Sequence, residues 1–510
     1  MTTAVDRRAP KPVALALVHG TVITMDPDRR VLEDAAVIVD RDRIVAVGDS
    51  AELLAAYAPA ETIDCTGQVV LPGLVDAHGH GGHALMKTIG VDTLSFWMRL
   101  VTRVYFEHTS AAYWSADAAL AAMERARFGV TTGISVLGSQ PRSDEPELGA
   151  GYAAAYERSG LRVGVGVGPA GLPWPREVGT WREDGQRRRR VGLDEMMAGA
   201  EATVREWHGA ADGRIRVYVT PYTMVPSLNP SGPLPPDQAL TLEKVDLEQS
   251  ERVRDLARRA GTRIHTDAFG GMVALAHARD PHALLGPDVH FQHGFGLTPD
   301  EVRILAETGT SVTHGPGVVV GALRGRCPVP ELIDAGVTTA ITSDGCAPMS
   351  SYDLFTAMRQ AQTLTQLQLR DVYLLPPGKL LEMVTIDAAR AIGWDDEIGS
   401  LEVGKAADVI VVDTRQAHLQ PLHMPVQALV YKAAGQDVVT TVVGGDVVMR
   451  DRVLTRIDPD EVLDDAVAEA RRAVERAGLA PFVTAPQWGS SRQRFDRPVV
   501  LPGELPGEED

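Results

Sequence analysis

The sequence is poor in cysteine and has no long apolar run, and each shortage excludes a class of protein. Its three cysteines, Cys65, Cys327 and Cys346, show no Cys-x-x-Cys spacing, so neither a disulfide framework nor a zinc knuckle is indicated. The first apolar run, residues 13–18, is too short for a secretory signal, and no segment approaches the length of a membrane span. We therefore expect a soluble, cytoplasmic protein with no membrane partner.

An excess of basic charge is also missing. The 50 Lys and Arg residues are outnumbered by 68 Asp and Glu residues, which gives a formal net charge of −18. Such a surface repels phosphate backbones, so nucleic acid is not an expected partner. Four consecutive arginines at 187–190 are the local exception. We interpret them as a solvated loop or helix start, with contact to an anion or a partner subunit as the alternative.

Short β-strand patterns cluster at both ends of the chain. Residues 13–70 alternate β-branched runs with polar turns, and the same texture returns over residues 407–449. Aromatic residues make up only 5% of the chain, which favours tightly packed α/β layers over an aromatic-rich sandwich for the protein as a whole. We predict one small β-sandwich domain built from residues 1–70 and 398–455.

The centre of the chain, residues 71–397, alternates buried strand patterns with amphipathic helix patterns, such as the strand 215–219 and the helix 299–308. This alternation indicates a parallel sheet with helical crossovers. A barrel and an open sheet both fit the pattern, and the site residues described next favour a (β/α)8 TIM barrel. Residues 456–510 are predicted to form a C-terminal helix and an extended arm.

Two histidines end the first strand of this central region. The apolar lead-in of residues 70–77 runs into His78 and His80, and residues i and i+2 of a strand point to the same side. Two imidazoles on one side, at the C-terminal end of a barrel strand, are placed to chelate one metal ion. Gly79 between them leaves room for close approach.

Three more polar residues follow predicted strands. His265 ends one strand and His293 the next, whereas His290, three residues earlier, is expected on the opposite face with a packing role. Asp344 ends the strand 336–344. An aspartate there also suits a helix N-cap, but alongside histidines at strand ends it favours a metal site.

These segments, taken in order, resemble the amidohydrolase superfamily. The stretch 72–80 (PGLVDAHGH) resembles its opening motif, residues 342–345 (TSDG) its last metal-site motif, and residues 397–413 its return to the β-sandwich. The resemblance covers about 13–455. It is strongest to a mononuclear-metal branch that holds triazine hydrolases, cytosine and guanine deaminases and phenylurea hydrolases.

The resemblance implies one divalent metal ion, zinc or alternatively iron(II), and it implies four metal ligands: His78, His80, His265 and Asp344. It also implies that Asp344 accepts the proton of a metal-activated water, and that His293 hydrogen-bonds this water or the substrate. Binuclear relatives carry a bridging lysine at the end of strand four. Residues 214–222 contain no lysine, which favours one metal.

One position departs from the family pattern. Relatives that act on heterocycles usually carry a glutamate three residues after the strand-five histidine, to protonate the ring, whereas this chain has Ala268 there. Asp267 is acidic but one residue off, and two alternatives stay open for it: a side chain that points away from the site, and one that takes the place of the glutamate. Because a carbonyl compound needs no ring protonation, the alanine favours hydrolysis of an amide, urea or carbamate.

The substrate pocket is predicted only in outline. Candidate lining residues follow barrel strands or lie in long loops: His83, Trp97, Asp267, Phe269 and Tyr222. Cys346 is expected to be a small wall residue.

We predict a metal-dependent amidohydrolase that cleaves a C–N bond of a small amide, urea (aryl ureas included) or carbamate. Two alternatives stay open: a deaminase or dechlorinase of a nitrogen heterocycle of triazine, purine or pyrimidine type, and a non-catalytic scaffold. The scaffold is disfavoured because all four implied ligands are present. The expected partners are a small-molecule substrate and further copies of the chain, in a homodimer or higher homo-oligomer.

Overall fold

The structure of the protein, a computed structural model, describes residues 9–89, 94–228, 241–318 and 325–483. The strands are β1 (Lys11–Ile23), β2 (Val31–Asp40), β3 (Arg43–Asp49), β4 (Tyr57–Asp64), β5 (Gln68–Pro72), β6 (Leu74–Asp76), β7 (His80–Gly81), β8 (Val130–Leu137), β9 (Arg162–Val167), β10 (Arg176–Arg182), β11 (Gly185–Val191), β12 (Ile215–Val219), β13 (Ile264–Ala268), β14 (Val289–His293), β15 (Ser311–His314), β16 (Thr339–Ile341), β17 (Val409–Asp413), β18 (Val438–Val443), β19 (Asp446–Arg450) and β20 (Val453–Leu454).

The α-helices of the described ranges are α1 (Ser50–Ala56), α2 (Leu94–Arg103), α3 (Ala111–Arg127), α4 (Pro146–Ser159), α5 (Leu193–Trp207), α6 (Lys244–Ala260), α7 (Met272–Arg279), α8 (Pro299–Thr308), α9 (Val329–Asp334), α10 (Leu354–Leu369), α11 (Pro377–Met383), α12 (Ile386–Ile392), α13 (Pro425–Lys432), α14 (Pro459–Arg476) and α15 (Ala480–Val483). A π-helix (Val104–His108) continues α2, and a 3₁₀ turn (Gly435–Asp437) precedes β18.

One sheet joins the two ends of the chain. Its order is β20-β19-β18-β17-β5-β1-β2-β3, with β4 beside β1. Strand β5 is the junction, because it runs parallel to β1 and antiparallel to β17, with Val70 opposite Val411. The β-branched residues of these strands meet in a buried cluster that includes Leu17 and Val37. The prediction of a β unit built from both ends is confirmed, while its exact boundaries stay a prediction.

The central strands form a parallel barrel in the order β6-β8-β9-β12-β13-β14-β15-β16, with β7 beside β8. Every residue of β8 and β9 is buried, as expected for parallel strands covered on both faces. Outward-facing valines such as Val163 and Val165 pack in the large core shared with the helices. The barrel prediction is confirmed, and it brings the C-terminal ends of all eight strands to one end.

The arginine run is a strand and not a loop or helix start, so that interpretation was wrong. Residues 187–190 lie in β11, which pairs antiparallel with β10. The arginines contact acidic neighbours, with Arg187 3.1 Å from Asp184 and Arg189 2.7 Å from Asp144. A run of identical charges has no periodicity, so only pairing with β10 shows that it is a strand.

The helix predicted at the C-terminal end is present as α14. It begins after Asp458, whose carboxylate accepts hydrogen bonds from the backbone N–H groups of Asp460 and Glu461. The predicted arm falls mostly on residues 484–510, which lie outside the described residues. Within the described ranges, no helix has the length and apolar character needed to cross a bilayer.

Candidate metal centre and active site

The first two histidines of the site lie where β6 gives way to β7. His78 is fully buried, and His80 is nearly so. The ring of His80 is oriented by a hydrogen bond of 2.8 Å from Nδ1 to the carbonyl oxygen of Gly138. A proton on Nδ1 leaves the lone pair of Nε2 directed into the barrel, as a metal ligand requires.

His265 joins them from β13. Its Nδ1 lies 3.3 Å from the carbonyl oxygen of His290 and donates to it, and its Nε2 lies 2.6 Å from Nδ1 of His78. Burial lowers the pKa of His265 well below its usual value, and the neighbouring His290 and His78 lower it further. A neutral imidazole results, which is the form that binds metal ions.

Asp344 completes the group from the turn after β16. Its Oδ1 lies 2.7 Å from Nε2 of His78 and 3.5 Å from Nε2 of His80. Burial alone would raise the pKa of this carboxyl, but hydrogen bonds with the two histidines and the nearby charge of His293 hold it well below the usual range. Asp344 is therefore ionised and able to ligate a cation.

These four side chains, His78, His80, His265 and Asp344, form the metal group, which suits a divalent metal ion. Two overlapping groups bring their ligand atoms within 4.8 Å of one another: His78, His80 and Asp344, and His78, His265 and Asp267. Imidazole nitrogens and a carboxylate oxygen are typical zinc donors. Several of these nitrogen and oxygen atoms lie close together and face inward. A cation between them would satisfy their lone pairs.

His293 stands beside this group in an unexpected backbone conformation. Its φ of 83° falls in the left-handed region, which is uncommon outside glycine. The ring lies between Phe269 and Phe295, with centroids at 5.1 and 5.7 Å. Its centroid is 6.1 Å from that of His78, close enough to reach a substrate at the metal.

The prediction for His290 was wrong in its direction. The His290 ring stacks on His265 at 4.4 Å and lies 5.7 Å from Tyr218, so it faces the barrel interior, as His293 does. The strand alternation that should separate two residues three apart is broken by the positive φ of His293. A packing role for His290, beneath His265, fits these contacts.

Asp267, whose direction the sequence left open, points toward the site. Asp267 is two residues from His265 on β13 and therefore faces the same side. Its Oδ2 lies 3.6 Å from Nε2 of His293, and the side chain is largely buried. Ala268, at the position of the glutamate that the resemblance implies, packs in the core shared with the helices.

The other candidate pocket residues fall into two groups. His83 donates to or accepts from Oγ of Ser139 at 3.0 Å through Nε2, and its ring meets Trp97 edge-on at 5.4 Å. His83 also lies 4.6 Å from the ring of His80. On the other wall, Phe269 covers His293, and Tyr222 accepts a backbone hydrogen bond from Asp267. Cys346 is buried beside Tyr352, as a wall residue would be.

Sequence reasoning missed two residues directly behind the metal group, Asp76 and Arg125. Asp76 accepts hydrogen bonds from Ser343, which precedes Asp344, and from the guanidinium of Arg125. Alternation was the available signal for Asp76, since a strand predicted to run on to His80 would carry residues 76, 78 and 80 on one face. Nothing local indicates Arg125, which arrives from α3.

Comparison with known proteins places the chain in a family. The model of the amidohydrolase family matches residues 69–448, so the chain belongs to that family. A 5-methylthioadenosine/S-adenosylhomocysteine deaminase of Syntrophobacter fumaroxidans is 31% identical over 465 residues, which cover 88% of this chain and 96% of the relative.

Solved structures with a similar fold include two zinc-bound enzymes. An adenosine deaminase from Xanthomonas campestris with bound zinc superposes with a TM-score of 0.77 at 27% identity, over 92% of this chain and 100% of that one. An atrazine chlorohydrolase from Arthrobacter aurescens TC1 complexed with zinc has a TM-score of 0.70 at 22% identity, over 89% and 100%, and shows the fold alone.

The protein is therefore a hydrolase of carbon–nitrogen bonds other than peptide bonds. The expectation of a divalent metal, zinc first, is confirmed by the zinc-bound adenosine deaminase and by the histidine and aspartate groups of this chain.

Proposed function

We propose that the protein is a metal-dependent deaminase that removes the amino group from a nitrogen heterocycle of the adenine-nucleoside type. The observation that carries the proposal is the position of Asp267, whose carboxylate lies 3.6 Å from His293 and beside the metal-binding histidines. This side chain supplies an acid where Ala268 supplies none. The names of the relatives, deaminases of adenosine and of substituted adenosines, favour the same chemistry.

His78, His80, His265 and Asp344 are proposed to hold one metal ion. When bound, such a cation supplies Lewis acidity and lowers the pKa of a water molecule far below that of bulk water, to about 7. Asp344 accepts one proton of the attacking water and passes it to the leaving amino group, which departs as ammonia.

The two other polar groups act on the ring. Asp267 protonates the ring nitrogen next to the attacked carbon and recovers a proton from the new hydroxyl group as the carbonyl forms. His293 hydrogen-bonds the attacking oxygen and stabilises the charge that develops there. The overall change replaces an amino group and one ring C=N by a carbonyl and N–H, with water consumed and ammonia released.

Hydrolysis of an amide, urea or carbamate, aryl ureas included, is the second candidate. Ala268 favours it, because the glutamate that heterocycle-acting relatives use is absent, and a carbonyl substrate needs no ring protonation. A homodimer or higher homo-oligomer and a cytoplasmic location stay predictions from the sequence.

The experiment is a substrate panel with zinc-reconstituted protein. Adenosine, 5′-substituted adenosines, guanine and triazines are compared with anilides, phenylureas and carbamates, and products are followed by mass spectrometry and an ammonia assay. An Asp344→Asn preparation made in parallel controls for contaminating enzymes. Ammonia released from a purine ring supports the proposal, whereas amine released only from carbonyl compounds replaces it with the second candidate.

A further inference from the structure

The barrel closes at a seam between its first and last strands. No backbone ladder joins β6 to β16 among the described residues. A side chain bridges the seam instead: Oδ1 of Asp76 accepts from the backbone N–H of Ser343 at 2.9 Å, and Oδ2 accepts from its hydroxyl at 2.7 Å. Asp76 therefore holds the residue immediately before Asp344.

The turn that carries Asp344 needs this support. Asp344 has a φ of 58° and Gly345 a φ of 91°, so two consecutive residues lie in the left-handed region, which L side chains seldom adopt. The hydroxyl of Ser343 also accepts from the backbone N–H of Gly345 at 3.0 Å. Ser343 thus connects Asp76 to the backbone on both sides of Asp344.

Arg125 holds Asp76 in turn. Its guanidinium is fully buried and donates from Nη2 to Oδ2 of Asp76 at 3.1 Å. The same group lies 4.3 Å from the ring centroid of Tyr352. The guanidinium makes three further hydrogen bonds, to Ile134 O, Ser135 Oγ and Tyr156 OH.

The chain makes room for this arginine next to the metal group. A Cβ atom at Gly79 would lie 2.8 Å from Nη2 of Arg125, closer than packing allows. Gly79 separates His78 from His80. The buried guanidinium therefore lies against the backbone at Gly79, between the two histidines.

We infer that Asp76 and Arg125 are positioning residues for the metal centre: Arg125 orients Asp76, Asp76 fixes Ser343 across the barrel seam, and Ser343 holds Asp344 in its ligand conformation. Partners of this kind, one step behind the ligands, typically change metal affinity about 10–100-fold when removed. The inference rests on the metal site and not on the proposed substrate.

The test measures the metal itself. Ser343→Ala, Asp76→Asn and Arg125→Lys variants are loaded with cobalt(II), and their visible absorption spectra and metal dissociation constants, from chelator competition, are compared with the unmodified protein. We expect dissociation constants about 10–100-fold higher for Asp76→Asn, with a smaller rise for Ser343→Ala. Altered cobalt bands would report a displaced carboxylate. Arg125→Lys keeps the charge but loses the forked geometry, so its metal dissociation constant should fall between those of the unmodified protein and of Asp76→Asn.

A matched pair elsewhere controls for loss of stability. Arg162 and Asp408 form a similarly buried pair, with distances of 2.9 and 3.1 Å, between the barrel and the end sheet. Asp408→Asn is expected to lower the melting temperature and to leave the cobalt spectrum and metal affinity unchanged. If Asp76→Asn does not fold, Ser343→Ala decides the question alone.

Two outcomes overturn the inference. One is an unchanged metal dissociation constant and cobalt spectrum in Ser343→Ala and in every folded variant at 76 and 125. The other is an equal loss of metal affinity in Asp408→Asn, which would make the effect one of general stability. Failure of the substrate panel would leave this test intact, because its readout is metal binding and not turnover.

Discussion

Oδ2 of Asp267 lies 3.6 Å from Nε2 of His293, although the two residues come from neighbouring strands and neither is one of the four implied ligands. The two side chains meet because β13 and β14 are paired in register, Asp267 beside Gln292, and the positive φ of His293 turns its ring toward the barrel axis. An acid and an imidazole therefore stand together over the metal group.

Replacing this acid tests the proposed chemistry. Asp267→Asn keeps the size of the side chain but cannot donate the proton to the ring, so kcat/KM on the heterocyclic substrate should fall about 10²–10⁴-fold. Asp267→Glu should retain part of the activity. Steady-state kinetics with metal content measured in parallel decide the matter. A variant with full metal content and full deaminase activity would sink the role of Asp267.

Removing a ligand should separate metal binding from folding. His265→Ala is expected to weaken metal binding more than the roughly 10–100-fold typical of residues behind the ligands, and to abolish turnover. The melting temperature of the unmodified protein should fall when a chelator removes the metal, because the ion binds the folded state, whereas that of His265→Ala should not respond.

His290→Phe is the control for this prediction, since it keeps a ring against His265 without removing an implied ligand. Elemental analysis and differential scanning calorimetry are the measurements. Metal bound to His265→Ala with unchanged affinity would contradict the proposed ligand set.

His83 should affect substrate binding more than the chemical step. His83→Phe keeps a ring against Trp97 but loses the hydrogen bond to Ser139, and such a bond contributes about 0.5–1.5 kcal/mol. We expect KM to rise roughly 3–10-fold with kcat little changed. Ser139→Ala removes the same bond from the other side and should match it. A large loss of kcat in both variants would instead place His83 in the chemistry.

Asp117 should make stability depend on pH. Burial raises its pKa from 3.8 to about 7, although its carboxylate accepts from the backbone N–H groups of Gly82 and Leu85. Between these two pH values the folded protein binds more protons than the unfolded chain, so the free energy of unfolding contributed by this group falls as pH rises. The loss is complete above about pH 7.

Asp117→Asn removes this dependence. The free energy of unfolding of the variant minus that of the unmodified protein should increase by a few kcal/mol between pH 4 and pH 8, at ~1.4 kcal/mol per unit of pKa shift. The variant thus gains stability relative to the unmodified protein as the pH rises. Urea unfolding at several pH values measures it. The exposed Asp300 provides an Asp→Asn control whose effect should not vary in this way. A constant difference for Asp117→Asn would refute the prediction.

Local sequence signals predicted several elements well. The helix 299–308 has the predicted bounds because Thr298 caps its first turn together with Glu301, and Gly309, with a φ of 71°, ends it. The strand that leads to His78 could be predicted because apolar residues and a turn precede it. These features depend on neighbours within a few positions of the chain, so the sequence alone determines them.

The orientation of site residues at strand ends depended on the tertiary structure. Alternation along a strand predicted the sides of His78 and His80, but it failed for His290 and His293, because a single positive φ reverses the side and no sequence rule announces it. Counting from the family glutamate left the direction of Asp267 open, and the structure places its carboxylate beside His293.

The amino-acid sequence by itself determined the alternation of strands and helices and the strands of the end sheet, and its motifs predicted the candidate metal ligands, since each follows from a period or a motif confined to a short stretch. The support behind the metal was decided only by the fold. Arg125 reaches Asp76 from 49 positions away, and Asp76 reaches Ser343 from 267. These contacts form only when strand and helix close into a barrel, because chain separation carries no information about which distant side chains will meet.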